Sequence, residues 1–332
     1  MIIPKVSVII VSYNGQKLLE KCLDSLSNIT YDNFEIILVD NNSSDNTIQF
    51  VSKHFPSIII IKLNSNKGFA EPNNIAAKIA KGDYLLFLNN DTVVTPNFIS
   101  EMIKAIQSDQ TIGMCQSLLL KPNGSIDSSG DFIDKLGVVY NSKTKINKIR
   151  EISSARGASM LIQKNIFDKL KGFDEKFFAS FEDVDLGWRT WIIGYRVILV
   201  PTSVVYHSAG TTMKKMKSEI AFHGFKNQLS IKITNFEMIL SVEKMILFFI
   251  TYGKRELKIW LDYTFRHATK LSPTKYEDTI ATKPNVWIIL KSVWWLVKNQ
   301  KYLIKKQRFV NSMRVFSTKE LENRNIICNE KF

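Results

Sequence analysis

The sequence predicts an α/β fold, a mostly parallel, helix-covered sheet followed by a C-terminal helical appendage. Three observations carry that expectation. Through the first half of the chain, short apolar runs alternate with stretches of helical periodicity, the pattern of parallel strands joined by crossover helices. The run Tyr84 to Leu88 is apolar or aromatic throughout and stops on Asn89, Asn90 and Asp91, as a strand buried on both faces does where it reaches solvent. Beyond Gly210 the alternation gives way to long, basic helical patterns.

Taken in order, residues 6–13 read as a first strand closed by Asn14-Gly15, and residues 17–26 as a helix with Leu18, Leu19, Cys22, Leu23 and Leu26 on one face. Residues 34–39 form a second strand. It ends in Asp40-Asn41-Asn42-Ser43-Ser44-Asp45, a turn and helix-start cluster, with a helix running to about Phe55. A third strand over 57–63 passes through Asn64 to Ala70 into a helix reaching Lys81, and the Tyr84 strand follows. Thr95-Pro96 starts a helix over 97–107, and residues 112–120 and 158–163 are further strands. Residues 121–150 read as a polar, Gly-containing insertion with a short hairpin. Glu182 opens a helix, residues 195–201 form a strand, and Val204 to His207 follow it.

At 332 residues and 45% hydrophobic content the chain supports a large core. We expect a catalytic domain over residues 1–212 and a basic, amphipathic helical region over 213–332. Residues 211–332 hold 23 Lys/Arg against 10 Asp/Glu, whereas residues 1–210 hold 22 against 21, so the net charge of +14 belongs to the C-terminal third and points there to an anionic partner. Cys22, Cys115 and Cys328 have neither metal-ligand spacing nor a disulfide framework, which fits a reducing compartment. We read no secretory signal and no apolar run of membrane-spanning length.

Several polar residues are placed for chemistry. Asp40, at a strand end, is suited to accept the imide N–H of a pyrimidine, or else caps the next helix. Asp91 is a hard oxygen donor suited to Mg²⁺ or Mn²⁺ on phosphates, or the start of an Asx turn. His207 follows an apolar strand and is either structural or a ligand facing Asp91. Glu182, Asp183 and Asp185 crowd three carboxylates beside Phe181 and Trp188, which should raise the pKa of at least one toward that of a useful base. The same residues also suit a helix N-terminus, and Arg189 lies one turn from Asp185 as its natural partner.

These stretches together resemble the family 2 glycosyltransferases, particularly the rhamnosyltransferase-like branch of bacterial polysaccharide assembly. The matching pieces are VSVIIVSYNG from Val6, VDNNSSD from Val39, NKGFA from Asn66, Asn73-Asn74 and LFLNNDT from Leu86. Further on come Arg156 to Ala158, Gly172-Phe173-Asp174, EDVDLGWR from Glu182, and VYHSAG from Val205. The match covers about residues 4–235, with its pieces in family order. The resemblance implies a GT-A type nucleotide-diphospho-sugar transferase fold and an inverting reaction. By analogy Ser12, Tyr13, Asn14, Asp40, Asn66, Gly68, Asn89 and Asn90 bind the donor, and Asp91 and His207 bind a divalent cation. Asp183 is the implied base, supported by Glu182, Arg156, Asp185 and Arg189. Asn89 stands where the family's Asp-x-Asp motif has its first Asp, and Glu71-Pro72 where small residues are usual.

The expected activity is transfer of a sugar, rhamnose favoured, from a dTDP- or UDP-linked donor to a glycan or lipid-linked acceptor. A non-catalytic nucleotide-sugar-binding assembly subunit of the same fold is the alternative. A sugar nucleotidyltransferase would want a Gly-rich basic triphosphate loop, which Asn14-Gly15-Gln16-Lys17 does not provide. From Val286, the pattern places Leu290, Val293, Val297 and Ile304 on one helical face with tryptophans and lysines beside it. That suits a helix lying on an anionic membrane surface, or a helical pair packed on the catalytic domain or joining two copies as a homodimer. Such aromatics, without any nucleic-acid-binding motif, argue against a nucleic-acid partner. The expected location is cytoplasmic and peripheral, at the inner face of a bacterial plasma membrane.

Overall fold

The first strand, β1 (Val6–Ser12), lies between β2 (Phe34–Asp40) and β4 (Tyr84–Asn89), parallel to both. β3 (Ile59–Lys62) adds outside β2. The structure is a computed structural model that describes residues 3–208, 217–251, 254 and 286–328. Side chains alternate between two core layers, as a strand period of two requires. Ile9, Ile37, Leu85 and Phe87 enter one layer with Ala76 and Ala77 of α3 (Ala70–Ile79). Val8, Ile10, Leu38, Leu86 and Leu88 enter the other with Leu19, Cys22, Leu23 and Leu26 of α1 (Gln16–Leu26).

Past β4 the sheet becomes mixed. β11 (Ser159–Gln163) runs antiparallel to β4 and to β6 (Ile112–Leu120), and β12 (Arg196–His207) runs parallel to β6. The expected parallel arrangement therefore holds for the first four strands, while β11 is reversed. A five-residue apolar run carries no direction of its own; the path of the chain between strands sets it. β12 is one continuous strand rather than two, with an irregularity between Val200 and Val204 where Pro201 has no N–H to give.

Short strands finish the site edge. β5 (Thr92–Val94) pairs with the end of β12, setting Thr92 opposite His207. In the polar insertion, β7 (Ile126–Ser128) joins β6, and β8 (Asp131–Asp134) and β9 (Val139–Asn141) make the expected hairpin. Its turn uses Gly137 at φ +69°.

α6 (Glu182–Ile192) is buried along most of its length, with Trp188 and Trp191 inside the core. α7 (Lys217–Asn235) departs from the amphipathic expectation. It is sandwiched between the catalytic body and the later helices, and Lys226, Asn227, Ser230, Lys232, Thr234 and Asn235 are all buried. Its polar groups reach backbone carbonyls, as buried donors must. Lys226 Nζ donates to Lys176 O (2.6 Å) and Lys232 Nζ to Gly137 O (2.6 Å).

Burial pushes the Lys232 amine down to about 7 and that of Lys226 to about 8. Between these values and the ordinary lysine range the unfolded chain holds protons the native state has shed, so stability from these groups rises as pH increases from about 7 toward 10. Lys232→Met should flatten that rise in urea unfolding measured at both ends of the window. An unchanged slope would mean the amine is solvated.

The C-terminal chain returns to the catalytic body. The helix Gln300–Ser312 inserts Lys306, Val315 N–H bonds Ile192 O (2.7 Å), and the strand Ile327–Cys328 pairs with β8. Phe236, Val310, Leu321 and Ile327 enter the same core cluster as Phe87 and Trp191, so the described part of the helical region shares its core with the sheet.

Candidate active site

The strand register sets Ser12 beside Asp40 and Val11 beside Asn89, aligning three carboxyl ends where the strand order changes direction. Open α/β sheets form ligand crevices at such switch points. Asp40 is buried. Its Oδ2 accepts from Ser43 N–H (3.2 Å), and its Oδ1 has no partner among the described residues. Asp40 does not cap the next helix: α2 (Thr47–His54) is served by Asp45, whose Oδ1 accepts from Thr47 N–H (3.1 Å). A buried, unpaired carboxylate oxygen is costly unless something donates to it.

Around Asp40 the backbone is shaped by amides. Asn90 Nδ2 donates to Ser12 Oγ (3.0 Å), and Asn14 (φ +50°) accepts from Ser44 N–H at Oδ1 (2.7 Å). Tyr13 is half-buried beside them. Asn66 Oδ1 accepts from Asn41 Nδ2 (2.9 Å) and Gly68 N–H (2.9 Å), so it scaffolds its own loop. Gly68 sits at φ +77°, and a Cβ there would fall 2.0 Å from Phe178 O. Only glycine lets this loop press onto the segment leading into α6.

At the end of β4, Asp91 Oδ1 lies 3.3 Å from His207 Nε2, and Asn89 Nδ2 lies 3.3 Å from the same nitrogen. The other ring nitrogen, Nδ1, meets Asp127 Oδ2 at 2.9 Å. Burial works against the imidazolium, but the hydrogen bonds to Asp127 and then Asp91 outweigh it and lift His207 to about 9. The bond to His207, helped by its charge, holds Asp127 below the usual carboxylate range against the opposing effect of burial. When His207 loses a proton it is the one on Nε2, because Asp127 keeps Nδ1–H; Asn89 is then placed to donate to the freed lone pair.

The donor set fits a divalent cation in chemistry and spacing. Asp91 Oδ1 and His207 Nε2, an oxygen and a nitrogen donor 3.3 Å apart, would suit a divalent cation between them. Asp127 stands behind His207, its carboxylate fixing the orientation of the imidazole ring through Nδ1. Among the described residues no group of three or more His, Cys, Asp or Glu side chains forms a ready-made metal cluster.

Asp183 enters from α6. Gly157 N–H donates to its Oδ2 (3.0 Å) and Val184 N–H to its Oδ1 (2.8 Å). Gly157 opens onto β11, and Asn89 N–H bonds Ala158 O (3.2 Å), so Asp183 faces the strand next to Asn89. Arg156 Nε bonds both oxygens of Asp131 (3.1 and 3.2 Å), and its guanidinium also feels Asp183 and Asp127. Burial raises Asp131 to about 6 despite Arg156. These contacts join the two carboxylate groups into one electrostatic cluster around Arg156.

The neighbours of Asp183 divide in role. Glu182 is buried with Oε2 unpartnered among the described residues; burial, then the charge of Asp183, raise its pKa well above the ordinary value. Burial contributes more to that shift than the crowding of carboxylates does. Asp185 and Arg189 turn into the protein: Arg189 pairs with Asp185 (2.8 Å) and bonds Leu170 O and Gly172 O. They anchor the helix and do not line the crevice. Ser180 and Phe181, both at φ +70°, precede the helix in a conformation costly to non-glycine residues, and Asn227 of α7 secures them through Ala179 O (3.0 Å) and Ser180 O (2.7 Å).

Two acids escaped the sequence reading. Asp127 and Asp131 flank Ser128-Ser129-Gly130 within what reads as a polar insertion. Gly130 takes φ +104° with Ile152 Cγ2 2.3 Å from where a Cβ would stand. A glycine-closed turn between two aspartates was the available signal.

Residues 7–171 match the Glycosyl transferase family 2 profile. The chain carries a glycosyltransferase family 2 domain. The chain is 30% identical over 225 residues to the O-antigen biosynthesis protein RfbC of Myxococcus xanthus, covering 63% of this chain but 18% of that protein. It is 26% identical over 246 residues to the N-acetylglucosaminyl-diphospho-decaprenol L-rhamnosyltransferase of Mycobacterium tuberculosis, covering 65% of this chain and 80% of that one. Among solved structures, mannosyltransferase PcManGT of Pyrobaculum calidifontis, in complex with GDP-Man and Mn²⁺, superposes with a TM-score of 0.59 at 16% identity, over 97% of this chain and 88% of that one. The glycosyltransferase fold is thus of GT-A type, with a helical C-terminal region.

Proposed function

We propose that this glycosyltransferase moves a sugar, rhamnose favoured, from a dTDP- or UDP-linked donor to a hydroxyl of a growing, lipid-linked bacterial glycan, with inversion. The reading includes a peripheral position at the inner face of the plasma membrane. Its main support is the gathering of Asp183, Arg156, Asp127, His207 and Asp91 at the sheet end where β2 presents Asp40, whose Oδ1 has no partner among the described residues. Asp40 accepts the imide N–H of the base. The acceptor hydroxyl gives its proton to Asp183 as its oxygen attacks the anomeric carbon, and the bond to the nucleoside diphosphate breaks on the opposite face. Asp91 and neutral His207 would hold a divalent cation, which supplies charge neutralisation for the diphosphate.

Nucleotide release measured with a panel of nucleotide-sugars tests this reading. Turnover is expected with a thymidine or uridine donor and to depend on Asp91. Cation-dependent donor binding without turnover on any acceptor would instead favour the non-catalytic assembly subunit.

Asp127→Asn is expected to lower divalent-cation affinity by roughly 10–100-fold, since a neutral amide can turn either its oxygen or its NH2 to Nδ1 and so no longer enforces the Nδ1–H tautomer that leaves Nε2 free. Mn²⁺ titration of the donor-free protein reads this directly. Unaltered affinity would make Asp127 a structural residue only.

A further inference from the structure

The described C-terminal helices carry two apolar stripes turned outward. On the helix at 238–251, Met238, Val242, Ile246 and Ile250 recur every fourth residue and are 68%, 59%, 55% and 48% exposed. On Val286–Lys298, Trp287, Leu290, Trp294 and Val297 share a face and are 77%, 55%, 67% and 54% exposed. The opposite faces are already used: Phe248 and Met245 from one helix and Ile289 and Leu296 from the other pack with Phe225 and Leu229 of α7 in a single cluster. Single exposed apolar residues are ordinary on a soluble surface; eight, on two helices seated in one cluster, are not.

The charge around the stripes identifies what covers them. Lys298, Lys301, Lys305 and Arg308, just beyond the second stripe, are all exposed. Glu243, on the first helix, is paired with Lys244 at 3.9 Å. A second copy of this chain would set the exposed Lys298, Lys301, Lys305 and Arg308 against the same four cations of its partner. An anionic bilayer matches both features, taking apolar side chains at the acyl boundary and ammonium groups among its headgroups. No helix among the described residues is long and apolar enough to cross a membrane, so the contact is in-plane.

We propose that these two stripes dock the protein flat on an anionic lipid surface. The inference specifies the membrane placement proposed above and does not depend on sugar transfer, because vesicle binding is read with no donor present. The full chain should co-sediment with vesicles holding ~30% anionic lipid and at least about tenfold less with neutral ones. Trp287→Ser/Trp294→Ser/Val242→Ser/Ile246→Ser should lower the partition by more than about tenfold. Lys298→Glu/Lys301→Glu/Lys305→Glu should lower it on the order of 100-fold at low salt. Unchanged thermal unfolding and donor binding show that both variants are folded. The proposal is overturned if neither variant changes vesicle binding, or if the wild-type chain ignores anionic vesicles. It is equally overturned if light scattering finds a dimer that the apolar variant splits while vesicle binding stays the same, which would assign the stripes to a second copy.

Discussion

Asp183→Asn is expected to lower turnover by roughly 10²–10⁴-fold while donor affinity is unchanged. The amide has the same shape and still accepts one of the two backbone hydrogen bonds, from Gly157 or Val184, that hold the side chain at the head of α6. It takes no proton from an acceptor hydroxyl. Glu182 is the internal control. Burial and then the neighbouring Asp183 push its carboxyl well above the normal range, which disfavours the charged form, so Glu182→Gln should retain most activity. Single-turnover nucleotide release with both variants separates the two acids. Loss with Glu182→Gln and retention with Asp183→Asn would move the base to the buried residue.

Lys306→Met is expected to be the most destabilising single change in the C-terminal region, by about 3–5 kcal/mol. The ammonium lies 2.6 Å from Asp174 and 3.0 Å from Asp185, both buried, on the side of α6 away from the crevice. Burial alone would raise Asp174, yet Lys306 holds it below its ordinary value, so removing the cation leaves the buried carboxylate with only the hydrogen bonds of Lys176 N–H and Tyr302 and the more distant charge of Lys226. Asp185 keeps Arg189 and Asn235 (3.2 Å) and suffers less. Urea unfolding of Lys306→Met beside Lys306→Arg measures the effect; the arginine variant should recover part of the loss. A change below about 1 kcal/mol in the methionine variant would show that the ion pairs are solvated.

These two experiments fall on opposite sides of α6, and the two sides differed in how far they could be read beforehand. The carboxylate cluster at the head of α6 was legible because Glu182, Asp183 and Asp185 beside aromatics at a helix start are a local pattern, whereas the choice of Asp183 among them came from the family resemblance. Its anchor was half legible: Arg189 lies one turn from Asp185 and pairs as the spacing suggests. Lys306 was not legible, because one lysine in a run of basic residues gives no sign that it will be buried 121 positions from its partner. The basic C-terminal third suggested surface helices, whereas α7 buries Lys226 and Lys232 against backbone carbonyls. Composition records how many cations a segment holds, not which of them a neighbouring helix covers.

The sequence by itself determined the first four strands, their crossover helices, and the polar residues that end each strand. Strand periodicity and turn chemistry are local, and they survive tertiary context both in β1 and β4, which are largely buried, and in the more exposed β3 at the sheet edge. Only the tertiary structure decided that β11 runs backwards, that Asp40 keeps an oxygen without a partner among the described residues instead of capping a helix, and that Asp127 reaches His207 across 80 positions. Those outcomes depend on which chain segments meet. Meeting is set by packing over the whole domain, a sum that no short stretch of sequence contains.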